Sequence, residues 1–272
     1  MPSIVNKRGL LCNKSRALFL LEYKHELSLL KKLILITEKG IGGILPKDTW
    51  CYEGICHLFA SSIVSHARMA YDNMLLGHFD AANMVLRALI ENSACFEVIY
   101  LYEEDELWKY YLVQSYRDTI ISPKHGTSEK DRRFLDDMYQ RYDIGADFLE
   151  KRDKKKAYID MPYGWTFKIN KNFNAKGLCS LLEHGEGEYH GFQLMSPYSH
   201  GTSLRNMLSY SSSMDQIMSM LASIYISLFR LVYLYCMDKI DESFDPITEE
   251  LENTLQNYFE TSPWNESDES DE

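Results

Sequence analysis

The sequence predicts an all-α protein, a multi-helix bundle. Hydrophobic residues make up 45% of its 272 residues, which is enough for a substantial core. Apolar residues recur at three- and four-residue steps, and no segment alternates apolar and polar residues as a half-buried strand does. Two segments, about 79–102 and about 203–237, are apolar on nearly every face. Such segments are typical of helices buried inside a bundle, so the first is predicted to be the central helix and the second to pack against it.

The first helices can be placed from their apolar spacing and their end signals. A helix is predicted over about 15–36, and the glycine-rich stretch GIGGILP at 40–46 is predicted to end it as a connector. A second helix is expected over about 48–76, ended by Gly77. Asp80 then has the residue type and the position of an N-cap for the central helix.

The remaining helices follow from the same periodicity. The cations between 151 and 156 suit the C-terminus of the helix that precedes them, because they complement its dipole. The helices are expected at about 103–120, around 135–149, near 175–183, near 188–196, over 203–237 and over 246–258.

The charge distribution divides the chain into three predicted parts. The formal net charge is −11, but residues 241–272 hold 12 acids and no Lys or Arg, so the rest of the chain is close to neutral. We expect an N-terminal helix with its connector over 1–45, a helical core domain over 46–240, and a short helix with a disordered acidic tail over 241–272. Net charge therefore neither supports nor excludes a nucleic-acid partner for the body.

Cysteine usage and hydropathy predict a cytoplasmic protein with reduced thiols. The six cysteines are scattered and form no Cys-x-x-Cys motif, and the N-terminus lacks the apolar core of a signal peptide. The apolar run at 217–237 is long enough to span a bilayer, but Arg230 interrupts it. A buried core helix is the better interpretation, so no membrane partner is expected.

Arg87 and Glu91 are the residues that stand out inside the central helix. They lie one turn apart within an otherwise apolar segment. An unpaired buried charge costs several kcal/mol, so both side chains are expected to have partners. Two interpretations stay open: a structural network that fixes helix packing, and a polar anchor that faces a cleft.

A second group of polar residues lies in EYHGFQLMSPYSHG. It contains Tyr189, then Ser196 and His200 four residues apart, which places the last two on one helical turn if the segment is helical. A serine–histidine hydrolase is disfavoured because the Gly-x-Ser-x-Gly elbow is absent. The histidines show no metal-ligand spacing, so neither a metal site nor a cofactor is expected, although a composite of Glu91 with His200 stays open.

These motifs resemble the domain of unknown function 5677 family, a family of bacterial all-helical proteins. The resemblance covers roughly residues 50–238 and rests on the RALIE segment (Arg87 to Glu91) and the downstream Tyr189 with Ser196-x-x-x-His200, together with Trp165 in a loop between them. In outline such proteins are similar to the HEPN superfamily, whose bundles often dimerise and include ribonucleases. The HEPN catalytic signature, an Arg followed after four to six residues by a His, is absent from this chain.

Two functions are consistent with this resemblance. The first is a non-catalytic ligand-sensing or protein-interaction module of a bacterial stress or phage-defence system, with a polar centre formed by Arg87, Glu91 and His200. The alternative is a HEPN-like metal-independent ribonuclease, in which His200 is the general acid or base and Arg87 stabilises the phosphorane, so that RNA is its substrate. Tyr189 and Ser196 complete the predicted binding residues. A body this rich in Tyr, Met and Phe is also expected to form a homodimer and to accept a protein partner.

Overall fold

A computed structural model describes residues 19–121, 127–150, 156–200, 214–240 and 242–261. At 194–200, 214–216 and 261 it describes the backbone alone. Every regular element within these ranges is helical, which confirms the all-α class. The predicted disorder of the acidic tail lies outside the described residues.

Ten α-helices carry the architecture of this described part. They are α1 Lys24–Gly42, α2 Tyr52–Leu75, α3 Phe79–Leu101, α4 Leu107–Ile120, α5 Glu129–Arg141, α6 Ala146–Leu149, α7 Ala175–Cys179, α8 Gly185–His200, α9 Met214–Leu231 and α10 Phe244–Thr261. Short 3-10 turns lie at 103–105, 158–160, 164–166 and 237–239, and one π-helical turn continues α9 over Val232–Cys236.

Helix α3 is the predicted central helix, and its burial agrees with that prediction. Most of its apolar residues are buried, from its second turn to its last, whereas Met84 and Leu101 are exposed. The buried ones are Ala82, Leu86, Leu89, Ile90, Ala94, Cys95, Phe96, Val98 and Ile99. Burial of apolar surface contributes about 25 cal/mol per Å². A helix with this much buried surface is therefore stabilised by packing far more than by the intrinsic helix propensity of its residues.

The helices group into two compact units. The first is drawn from Met1–Leu45, Ala60–Ser93 and Gly191–Glu272, and the second from Pro46–Phe59 and Ala94–His190. These units are groups of contacts, and the division into 1–45, 46–240 and 241–272 stays a prediction.

In the first unit, α1 packs against both α9 and α10. Its buried leucines include Leu30 and Leu33, and α9 contributes Ile224 and Leu228 to the core of this unit. Gly40 permits a close approach, because a Cβ there would collide with Ile240 Cδ1.

The second unit is organised around α4, which packs against α5 and the turn at 164–166. Its core is largely aromatic, as shown by the T-shaped contacts of Tyr110 with Phe148 and with Phe167, at centroid distances of 5.1 and 5.0 Å. Edge-to-face pairs of this kind add about 0.5–1.5 kcal/mol beyond the burial of their area. The aromatic side chains of this unit thus serve to pack its core.

Three predicted helix boundaries are corrected by the structure. Helix α1 continues to Gly42, six residues beyond the predicted end, because Gly40 packs closely against Ile240 within the helix and does not form a turn. Asp80 is not the N-cap of α3 but lies in its first turn, since the Ala82 amide already donates to the His78 carbonyl at 2.9 Å. The amphipathic segment around 135–149 is broken at Asp143, which adopts a left-handed φ of 51°.

The structure describes part of the long apolar helix predicted over 203–237. The described portion begins at Met214 as α9, and 203–213 lies outside the described residues. Within the described residues, one stretch, Ile217–Lys239, is long and apolar enough to cross a membrane by length and composition, and 56% of its most apolar window is buried in the protein. Core helices of soluble proteins meet the same criteria, so this finding is weak evidence for a membrane span.

Candidate functional site

Three polar residues lie on successive turns of α3 in the first unit. Asn83, Arg87 and Glu91 are spaced four residues apart, so they project from one side of the helix, and we call them the polar row. Asn83 is fully buried, whereas Arg87 and Glu91 are half-buried. The row therefore runs from the core of the unit towards its surface.

The guanidinium of Arg87 packs against an aromatic ring of α8. Its Cζ atom lies 4.7 Å from the centroid of the buried Phe192 ring, a cation–π geometry, and its Nε atom is buried. The backbone of α8 also lies close to α3 at the preceding residue, because a Cβ on Gly191 would lie 3.3 Å from Ile90 Cδ1. A partly desolvated cation–π contact contributes about 1–2 kcal/mol, so Arg87 helps to hold α3 against α8.

Asn83 is the unusual member of the polar row. Its side chain is 0% exposed, and among the described residues neither its Oδ1 nor its Nδ2 atom has a hydrogen-bond partner. A buried amide without a partner costs about 1–3 kcal/mol, and most buried amides are therefore bonded. The side of α3 that carries Arg87 thus has hydrogen-bonding capacity that the packed helices leave unused.

The structure places the predicted site residues in different settings. Arg87 and Glu91 share the polar row of the first unit. Tyr189 belongs to the second unit, where it is half-buried and its ring centroid lies 6.0 Å from Lys176 Nζ. Ser196 and His200 lie on the last turns of α8, and their side chains are outside the described parts. Their convergence with Arg87 and Glu91 stays a prediction.

Trp165, the loop tryptophan of the resemblance, is a core residue. Its ring is buried and meets Tyr111 edge-on at 5.5 Å. Its backbone N–H donates to Oε1 of the buried Gln114 at 2.9 Å, and the Gln114 amide nitrogen donates in turn to the Met161 carbonyl. Trp165 and Gln114 therefore fix the loop at 161–165 onto α4.

A polar cluster between α2 and α3 was not predicted. Asn92 Nδ2 donates to Ser62 Oγ at 3.1 Å, and His66 Nδ1 lies 2.7 Å from the Ser62 carbonyl oxygen. A carbonyl oxygen only accepts, so Nδ1 carries the proton and cannot act as the base for Ser62 Oγ, 3.3 Å away. The cluster fixes helix packing. The four-residue spacing of Ser62 and His66 was visible in the sequence, but their contact with Asn92 depends on tertiary structure.

Helix α5 carries an open depression on the described surface. This depression of about 440 Å³ is open to solvent and lined by Glu129, Lys130, Arg133, Phe134 and Asp137, all from α5. Arg133 already pairs with Glu129 in this depression. The described part of the chain contains no group of three or more His, Cys, Asp or Glu residues placed to hold a metal ion.

Comparison with known proteins gives one match. Residues 53–217 match the model of a family described as a family of unknown function (DUF5677), which covers more than half of the chain. No curated protein matches. No solved structure matches either. The matched range contains α2 from its second residue and all of α3 to α8, and with them the polar row and Phe192.

Proposed function

The chain belongs to the family of unknown function DUF5677, and we propose that it acts there as a non-catalytic, ligand-sensing helical module. The polar row of α3 is the ligand-contacting face in this proposal. The observation that carries it is the fully buried Asn83 amide, which has no hydrogen-bond partner among the described residues.

The physical argument concerns the free energy stored at Asn83. In the packed state its amide has lost its hydration without gaining a partner among the described residues, at a cost of about 1–3 kcal/mol. A ligand that reached Asn83 in an opened state and satisfied the amide would relieve that cost. By itself this relief changes a binding equilibrium about 5- to 150-fold, which is the usual range of coupling in protein switches.

The neighbours of Asn83 favour an anionic ligand. The planar guanidinium of Arg87, one turn away, matches the geometry of a phosphate or carboxylate group. The Asn83 amide both donates and accepts, which suits the polar edge of a base or a sugar. The ring of Phe192 lies under the Arg87 guanidinium and adds an aromatic face. A nucleotide combines a phosphate with such an edge, so nucleotides are the ligand class to test first.

The expected setting of the module is bacterial and cytoplasmic, in a stress or phage-defence system. This part of the proposal rests on the resemblance and on the scattered cysteines. The six cysteines form no Cys-x-x-Cys motif, and Cys56 and Cys236 are buried thiols. Buried thiols of this kind are typical of proteins that work in a reducing compartment.

The proposal is tested by thermal shift with a panel of linear and cyclic nucleotides. At least one nucleotide should raise the melting temperature of the wild type, because ligands that bind only the folded state stabilise it. Arg87→Lys should abolish the shift, since an ammonium cannot reproduce the guanidinium fork. Arg68→Lys is the matched control: Arg68 bonds Glu38 through two nitrogens outside the polar row, so this variant should keep the shift.

The same variants separate this proposal from a ribonuclease. The wild type, Arg87→Lys and Arg68→Lys are each incubated with single-stranded RNA in the presence of EDTA, which leaves a metal-independent activity intact. We expect the RNA to remain intact with all three proteins. Cleavage by the wild type and by Arg68→Lys, but not by Arg87→Lys, would show that Arg87 serves catalysis and would overturn the non-catalytic proposal.

A further inference from the structure

The outer face of α1 is basic. Lys24, Lys31, Lys32 and Lys39 are all exposed there, spread over about 22 Å of helix at 1.5 Å per residue. Of the acids on this helix, Glu38 is bonded to Arg68, and one carboxylate oxygen of Glu26 is buried. We call the exposed lysine side the basic face.

The outer face of α10 has the opposite charge. Its acids Asp245, Glu249, Glu250, Glu252 and Glu260 are exposed, and residues 242–261 contain no Lys or Arg. We call this side the acidic face. Among the contacts of the described residues, one of these acids, Glu250, pairs with a basic side chain, His25, at an Nε2–Oε1 distance of 2.7 Å.

The two faces lie next to each other on the first unit. Helices α1 and α10 pack together, and they run antiparallel. The C-terminal end of α1 approaches Ile240 through Gly40, just before α10 begins, while His25 near its N-terminal end reaches Glu250. One side of the unit therefore presents a basic helix beside an acidic helix.

This arrangement is complementary to itself. A two-fold axis between two copies would place the basic face of each on the acidic face of the other, forming the same contact twice, as isologous interfaces require. Charge complementarity of this kind fixes register and speeds association.

Apolar side chains are interspersed among the charges. Leu21 and Leu35 on the α1 side are 75% and 46% exposed, and Phe259 on α10 is 40% exposed. Leu35 lies among Lys31, Lys32 and Lys39 in the sequence, and Phe259 precedes Glu260. Apolar residues within a charged surround have the composition of a protein interface, where the apolar part supplies affinity and the charges supply specificity.

We propose that α1 and α10 together form the interface of a homodimer, in which the basic face of each copy docks on the acidic face of its partner. This inference goes beyond the ligand-sensing function and does not depend on it, because none of these residues belongs to the polar row. The occupant of the surface is a second copy of this chain.

Charge reversal on each face provides the test. Lys31→Glu with Lys32→Glu places two acids among the lysines of the basic face, and Glu249→Lys with Glu260→Lys places two lysines among the acids of the acidic face. In each variant the reversed side chains would meet like charges on the unchanged face of the partner, so each variant alone should be monomeric. Light scattering at high micromolar concentration should give twice 31.8 kDa for the wild type and 31.8 kDa for each variant.

Mixing the two variants gives the decisive result. In a mixed dimer one contact joins the two unchanged faces, and the other sets the new glutamates of one copy against the new lysines of its partner, so equimolar mixing should restore the dimer mass. A contact within one chain cannot produce this recovery. The matched control is Lys130→Glu with Arg132→Glu, the same change in charge on exposed positions of α5, which should leave the dimer intact.

Each other outcome overturns the proposal. A monomeric wild type would show that a second copy is not the occupant, and variants that remain dimeric would place the interface elsewhere. Two monomeric variants that do not recover on mixing would exclude complementary contact. Circular dichroism establishes that each variant folds. If a charge-reversed variant does not fold, the substitution by glutamine at the same two positions replaces it: Lys31→Gln with Lys32→Gln, or Glu249→Gln with Glu260→Gln. Either should weaken the dimer without introducing repulsion.

Discussion

At the scale of single residues, Asn83 and Gln114 form a natural comparison. Both are buried amides, but Gln114 bonds the Trp165 N–H and the Met161 carbonyl, whereas Asn83 has no hydrogen-bond partner among the described residues. Replacing an unsatisfied buried amide by an apolar group of similar size removes a desolvation cost of about 1–3 kcal/mol. Asn83→Leu should therefore raise the free energy of unfolding by about that amount.

Gln114→Met is the matched control for this prediction. It should lower the free energy of unfolding by a similar amount, since it removes the acceptor of the Trp165 N–H and leaves the Met161 carbonyl with the Gly164 N–H as its donor. Urea denaturation of both variants measures the two changes. A loss of stability in Asn83→Leu equal to that in Gln114→Met would mean that Asn83 is bonded in the folded protein, and the stored free energy on which the sensing proposal depends would not exist.

The sequence identified only part of the polar row. Arg87 and Glu91 stood out because charges are rare inside an apolar helix. Asn83 lies one turn earlier on the same side and carries no charge, so the sequence pattern does not distinguish it from an ordinary polar residue. The contact of Arg87 with Phe192 depends on how α8 approaches α3, which no local pattern encodes.

At the scale of an element, two glycines in the first turn of α8 test how that helix is placed. A Cβ on Gly185 would collide with the Cys179 carbonyl oxygen at the end of α7, whereas a Cβ on Gly187 would meet no atom within 4 Å among its surroundings. Gly187→Ala should stabilise the protein by about 0.5–1 kcal/mol, because alanine loses less backbone entropy in a helix.

Gly185→Ala should destabilise the protein by about 1–3 kcal/mol, as overpacking does. The two variants carry the same substitution two residues apart, so their difference isolates the contact with α7. Thermal denaturation of both provides the measurement. Equal effects of the two substitutions would show that α8 does not begin against the end of α7.

Helix positions were easier to predict than helix ends. Apolar periodicity located α1, α2 and α3, because burial of a stripe is a property of the whole helix. The ends depend on single contacts. The left-handed Gly77, with φ of 73°, ends α2 as predicted, whereas Gly40 serves close packing inside α1 and not a turn. Glycine thus has two structural roles here, ending a helix and allowing close packing, and the fold decides which role each glycine has.

At the scale of the whole molecule, two buried cysteines report on the two compact units. Cys56 lies in the second unit and Cys236 in the first, and burial raises the pKa of each thiol to about 12. At pH 8 only about one thiol in 10,000 is then a thiolate, the reactive form. In the native protein both should react with iodoacetamide far more slowly than the half-buried Cys51.

Unfolding should expose both thiols together. Helices α2, α3 and α8 each contribute residues to both units, so the units should unfold in one cooperative transition. Alkylation followed by peptide mass spectrometry across a urea gradient should give the same midpoint for Cys56 and Cys236. Two separate midpoints would show that each unit unfolds alone.

In the function we propose, the polar row of α3 binds a ligand through the Asn83 amide. The most direct measurement is the ligand-induced change in melting temperature of Asn83→Leu beside the wild type, with the nucleotide that stabilises the wild type. We predict that Asn83→Leu melts higher than the wild type without ligand and shows no further rise with it. A variant that keeps the full ligand-induced rise would contradict the claim, because the amide would then take no part in binding.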